Sequence, residues 1–170
     1  TPRQGRRVDD LSIWRDIATQ IATTTGQPFD PEPPRGLGGG CINSAFRLSD
    51  GRQTWFVKTN RAARLGMFEA EADGLVELRE AGEVRVPEVI DVGVMNGQAY
   101  IDIEKLELEP TNRDIEQRFG EQLASLHRHT QKQYGWFRDN TIGLTPQHND
   151  LNSDWVDFFR KHRLGFQLEL

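Results

Sequence analysis

Cysteine is nearly absent from the 170-residue sequence, where Cys41 stands alone. That excludes an intrachain disulfide framework and any zinc site built from several thiolates, and it fits a reducing compartment. Long apolar runs are missing too. None approaches the roughly 18 residues that a membrane-spanning helix requires. The start Thr1-Pro2-Arg3-Gln4-Gly5-Arg6-Arg7 has positive charges with no apolar stretch behind them. Basic charge is in deficit, with 21 Lys and Arg against 26 Asp and Glu and a formal net charge of -5. A broad nucleic-acid footprint needs a clustered basic surface, so no nucleic-acid partner is expected, whereas a small anion held by a few local groups is compatible. These absences predict a cytoplasmic protein with no membrane partner. At 36% hydrophobic and 28% charged residues the composition is globular. The length allows one domain, or a small lobe with part of a second.

Glycine and proline, by contrast, are concentrated near the start of the chain and punctuate it. Leu11, Trp14, Ile17, Ala18 and Ile21 fall at helical spacing between Asp10 and Thr25. Gly26 and Pro28 end that helix. Pro28, Pro31, Pro33 and Pro34 rule out a regular element and make a connector into the turn Gly36-Leu37-Gly38-Gly39-Gly40-Cys41-Ile42-Asn43. Residues 44–48 and 53–59 read as strands joined by Ser49-Asp50-Gly51. A helix is expected over 67–81, ended by Gly82, then strands over 89–94 and 99–103 around the Asn96-Gly97 turn. Thr111 and Asp114 form a capping-box-like start for a helix striped by Ile115, Phe119, Leu123 and Leu126. Residues 135–147 read as loop. Residues 154–168 resume a helical pattern through Trp155, Phe158, Phe159 and Leu164, with the aromatic residues expected in the core.

Three features carry chemistry. Glycines at 38, 39 and 40 let backbone amides approach a polyphosphate without a Cβ in the way, although a run of glycines can equally be a plain turn. It is no Walker loop, because Cys41 and Ile42 stand where lysine and a hydroxyl are needed. In Trp55-Phe56-Val57-Lys58-Thr59, strand alternation puts Lys58 beside Phe56 on one face. Its ammonium either snorkels at a strand edge or grips phosphates. In the helix that follows, Glu69, Asp73, Glu77 and Glu80 share a charged face, while Phe68, Leu75 and Leu78 share an apolar stripe broken only by Glu71. A carboxylate on that stripe is costly unless paired, and Lys58 is the partner that the order of elements offers.

These residues resemble the fructosamine kinase family, the ketosamine-3-kinases of the protein-kinase-like superfamily. The resemblance rests on Gly38-Gly39-Gly40-Cys41-Ile42-Asn43, Phe56-Val57-Lys58-Thr59-Asn60, Met67-Phe68-Glu69-Ala70-Glu71-Ala72 and Arg85-Val86-Pro87. It continues through Leu123-Ala124-Ser125-Leu126-His127-Arg128, Asn140-Thr141-Ile142-Gly143, Gln147-His148-Asn149 and Asp154-Trp155. It implies an α+β, protein-kinase-like fold. Residues 1–106 would be an N-terminal helix plus an antiparallel-sheet N-lobe and hinge, and residues 107–170 the first part of a helical C-lobe. It implies ATP and Mg2+ as cofactors and a ketosamine, a glycated amine or protein, as the substrate phosphorylated at its sugar 3-hydroxyl. By carry-over, Gly38, Gly39 and Gly40 cover the phosphates, Lys58 holds them, Glu71 positions Lys58, and Glu104 and Leu106 meet the adenine as hinge.

The family's catalytic loop resembles His-Gly-Asp-Leu-Trp-x-Gly-Asn. The run His148-Asn149-Asp150-Leu151-Asn152-Ser153-Asp154-Trp155 imitates it and would make Asp150 the base, but it puts Trp155 where a magnesium-binding Asn belongs. A tryptophan cannot ligate magnesium. The same run fits a family segment upstream of the true loop, so Asp150 reads as a decoy, and the chain reads as truncated before its catalytic base and metal ligands. The competing readings are another small-molecule kinase, of the aminoglycoside, choline or homoserine type, or a non-catalytic nucleotide-binding module.

Overall fold

Helix α1 (Asp10–Thr25) turns Ile13, Trp14, Ile17, Ala18 and Ile21 inward, and all five are buried. Its threonines are poor helix formers, and three of them bond back one turn. Thr19, Thr23 and Thr25 donate to the carbonyls of Arg15, Thr19 and Ile21 at 2.8–2.9 Å. Gly26, at φ +67°, ends the helix in the left-handed conformation that glycine adopts without strain. The computed structural model describes residues 10–38 and 42–170.

The described chain divides into two compact units. One runs to Leu75 and includes Pro87–Leu108, and the other comprises Val76–Val86 and Glu109–Leu170. The first is built on a five-stranded antiparallel sheet in the order β1-β2-β3-β5-β4, from β1 (Arg35–Leu37), β2 (Ser44–Ser49), β3 (Thr54–Arg61), β4 (Val89–Met95) and β5 (Gln98–Glu104). Two hairpins set its register. At β2–β3, the Asp50 carboxylate accepts the backbone N–H groups of Arg52 and Gln53 at 2.8 and 2.7 Å, with Gly51 at φ +86°. At β4–β5, Asn96 and Gly97 both take positive φ, the signature of a tight primed turn. The Asn96 amide also reaches Asp16 on α1 at 2.9 Å.

Alternation sorts the sheet into two faces. Leu48, Val57 and Tyr100 pack with the α1 stripe and Phe29, while Ala99, Ile101 and Ile103 pack with Phe68 and Ala72 of α2 (Leu65–Ala81). The sheet therefore lies between two helices, with Lys58 on the α2 side. Three of the sequence expectations shift here. β1 occupies Arg35–Leu37, so the Gly-rich turn is shorter at its start; α2 begins at Leu65, after a 3-10 turn at Ala62–Arg64; and Leu78, expected on the apolar stripe, is exposed.

The second unit holds α3 (Arg113–Leu126), the hairpin β6 (Asn140–Ile142) and β7 (Thr145–Gln147), and α4 (Trp155–Phe159). The cap of α3 is Asn112, not Thr111: its Oδ1 accepts the Ile115 N–H at 3.0 Å. Asparagine caps at least as well as threonine, and its amide oxygen reaches the third residue of the helix. No described α3 side chain is buried, and Ile115 and Phe119 of the expected stripe are exposed. Residues 140–147, read as loop, form a hairpin around Gly143 at φ +63°. Strands of three residues are too short to display an alternation pattern.

Asp154 caps α4, accepting the Asp157 N–H at 2.7 Å. Helical pairing then widens to a π-turn over Arg160–Gly165 before a last short helix, Phe166–Leu168. Of the aromatic residues expected in the core, Phe158 is 3% exposed, but Trp155 is 50% exposed and Phe159 is also exposed. One helical face cannot bury residues at successive positions 158 and 159 equally.

Candidate functional site

Strand β3 and helix α2 bring Lys58 and Glu71 together, with Nζ 2.6 Å from Oε1. Each side chain keeps about a quarter of its surface exposed, at 26% and 28%, so the pair is partly wet and open to a ligand. Phe56, two residues earlier on the same strand face, lies under the ammonium, 5.9 Å from ring centroid to Nζ. Register puts Ala45 of β2 opposite Lys58, and β2 leads back through Asn43 toward the glycines. Gly38 follows β1, and a Cβ built there would meet nothing within 4 Å. Packing does not demand that glycine, and the open space suits the approach of a ligand. Gly39, Gly40 and Cys41 lie outside the described residues.

Asn60 lies on the same face as Lys58 and Phe56. Its amide nitrogen donates to the Ile42 carbonyl at 3.1 Å and to Asn43 Oδ1 at 2.7 Å, while its oxygen accepts the Arg61 N–H at 2.8 Å. The period of two from Lys58 was the signal that could have found it. At the far end of β5, the Glu104 N–H donates to the Glu88 carbonyl at 2.8 Å, which consumes that donor. Leu106 follows beyond the strand, half-buried.

Asp102, on the α1 face of β5, is fully buried, and neither carboxyl oxygen has a partner among the described residues. Burial first, and then the neighbouring Asp91 carboxylate, push its pKa well above the ordinary 3.8. Tyr100 donates a short hydrogen bond to Asp91, and burial raises the phenol pKa as well. The burial of Asp102 thus favours the neutral acid inside an otherwise apolar strand.

In the second unit Asp150 is exposed, next to a buried Asn149. Asn149 organises its surroundings. Its amide donates to the Arg138 carbonyl and to Asn140 Oδ1, both at 3.0 Å, and its oxygen accepts from Arg163 at 2.6 Å. Arg163 also donates to the His148 carbonyl at 2.7 Å and lies 4.6 Å over the Phe158 ring. Asp139 accepts the Asn149 N–H at 2.9 Å and pairs with His148 Nδ1 at 2.8 Å. The Asn149 bond, and then His148, hold the Asp139 carboxyl below the ordinary carboxylate range. His129 meets Glu83 at 3.1 Å. Among the described residues no three His, Cys, Asp or Glu side chains are grouped to hold a metal ion, and no helix is long and apolar enough to cross a membrane.

A five-stranded antiparallel sheet with a glycine-rich segment after its first strand, a lysine on its third and a helix glutamate paired to that lysine defines a protein-kinase-like N-lobe. The fructosamine kinase family profile matches residues 13–170, and the chain belongs to that family. It is 47% identical over 164 residues to a protein of Synechocystis sp. named a probable ketoamine kinase, covering 96% of this chain and 56% of that one. It is 43% identical over 162 residues to the chloroplastic protein-ribulosamine 3-kinase of Oryza sativa subsp. japonica, covering 94% of this chain and 47% of the rice protein. A crystal structure assigned as a fructosamine-3-kinase from Haemophilus somnus 129PT superposes with a TM-score of 0.90 at 29% identity, over 96% of this chain and 56% of that one. The chain thus spans about half the length of these relatives.

Proposed function

We propose that this chain supplies the nucleotide clamp of an ATP-dependent kinase that phosphorylates ketosamines, fructosamine- or ribulosamine-type adducts, at the sugar 3-hydroxyl in protein deglycation in the cytoplasm. The observation that carries this reading is the 2.6 Å Lys58–Glu71 pair on the α2 face of the sheet. The names of the Synechocystis and rice relatives support the substrate class. Residues 1–106 act as N-lobe and hinge, and 107–170 as the start of the helical lobe.

In this account Lys58 neutralises charge on the phosphates, and Glu71 keeps the ammonium in place. The backbone amides of Gly38, Gly39 and Gly40 cover the same phosphates, and the main chain at Glu104 and Leu106 meets the adenine. Phosphoryl transfer relies mainly on positioning and charge neutralisation, which is work these residues are equipped for. The described residues offer Mg2+ no cluster of ligands.

The test is incubation of the full-length kinase that carries this clamp with ATP and a synthetic ribulosamine or fructosamine, followed by phosphorus NMR. A sugar 3-phosphate formed by the protein and lost in Lys58→Ala supports the proposal. Phosphorylation of an aminoglycoside, choline or homoserine with the ketosamines untouched would contradict it.

A further inference from the structure

The β2–β3 ladder has its last main-chain pair at Ser44 and Thr59. One position further, Asn43 and Asn60 face each other where strand pairing has stopped. A side-chain amide takes over there: Asn60 Nδ2 bonds both the Ile42 carbonyl and Asn43 Oδ1, at 3.1 and 2.7 Å. The third bond, from the Arg61 N–H to Asn60 Oδ1 at 2.8 Å, fixes which way the amide points. An amide uses both its donor and its acceptor in this position. A carboxylate cannot donate, and an aliphatic side chain can do neither.

Asn60 stands two residues from Lys58 on the same strand, and Ile42-Asn43 closes the glycine-rich segment. We propose that Asn60 is a positioning residue for nucleotide binding, holding the Ile42-Asn43 end of that segment at a set distance from the Lys58 ammonium. The inference rests on the nucleotide-clamp reading and deepens it. Phosphate groups must meet the segment and the ammonium together, so the tie between them acts on the phosphates and not on the base or the sugar. Asn43 is the second half of the same tie.

The experiment measures the affinities of ATP and adenosine for the protein, for Asn60→Leu, Asn43→Ala, the double variant and Lys58→Ala, with the melting temperature of each. Loss of two hydrogen bonds that order a phosphate site is expected to weaken ATP about tenfold. The expected result is that Asn60→Leu loses that factor for ATP and none for adenosine, and that the double variant is no weaker than Asn60→Leu alone. Equal losses for both ligands, or no loss for ATP, would overturn the inference; if Lys58→Ala still removes the preference for ATP, the clamp itself stands. A wild-type protein with no preference for ATP over adenosine overturns both.

Discussion

Lys58 on β3 and Glu71 on α2, thirteen residues apart in sequence, meet at 2.6 Å, and the meeting fixes how the helix is rotated against the sheet. Phe68, one turn earlier, is fully buried against Ile101 and Ile103, so Glu71 sits at the margin of that contact with its carboxylate aimed at the strand. The apolar stripe and the ion pair therefore specify the same helix orientation.

Because both partners remain about a quarter exposed, solvent screens them, and the pair contributes under about 1 kcal/mol to folding. Glu71→Gln is expected to leave the melting temperature nearly unchanged and to weaken ATP about tenfold, since an amide holds an ammonium poorly. Calorimetry with and without ATP checks both halves.

Asp102 predicts a pH dependence with a definite sign. In the unfolded chain its carboxyl ionises near the ordinary 3.8, while burial pushes that pKa well upward in the fold. Above that pH the folded state binds more protons than the unfolded state, so stability falls as pH rises, until the folded pKa is passed. The slope from this group is at most about 1.4 kcal/mol per pH unit. Asp102→Asn removes that slope, and Asp102→Val stabilises the protein by about 1–3 kcal/mol at pH 8, by eliminating two unpartnered buried oxygens. Urea titrations at pH 5 and pH 8 read out the difference.

Gly165 closes the π-turn, and a Cβ there would lie 2.6 Å from the Arg160 carbonyl oxygen. The obstacle is backbone, which cannot swing aside. Gly165→Ala is expected to cost about 1–3 kcal/mol, with faster amide exchange across 155–168 and no change in the first unit.

Arg163→Met removes the donors that satisfy the Asn149 side chain and the His148 carbonyl. The expected cost is about 1–3 kcal/mol. Arg163→Lys should recover only part of it, because one ammonium cannot reproduce a two-pronged contact. Chemical denaturation followed by tryptophan fluorescence measures the series.

The two hairpins and α2 were legible because each carries a strong local pattern: alternation around Lys58, the Asp50-Gly51 and Asn96-Gly97 turns, and a stripe interrupted only by Glu71. What escaped had no such pattern. The three-residue strands β6 and β7 offer too few positions to show a period, and the π-turn shifts the helical phase after Phe159. The raised pKa of Asp102 depends on what lies on either side of the sheet, and the role proposed for Asn60 on where a ladder stops. Both are tertiary facts, although the spacing of Asn60 from Lys58 was already on the strand.

The most direct test of the central claim is the ratio of ATP to adenosine affinity in the wild-type protein and in Lys58→Met. A phosphate clamp built on Lys58 predicts that the wild type binds ATP about tenfold or more tightly than adenosine, and that the preference disappears in the variant while adenosine binding stays the same. An unchanged preference for ATP in Lys58→Met would contradict the account.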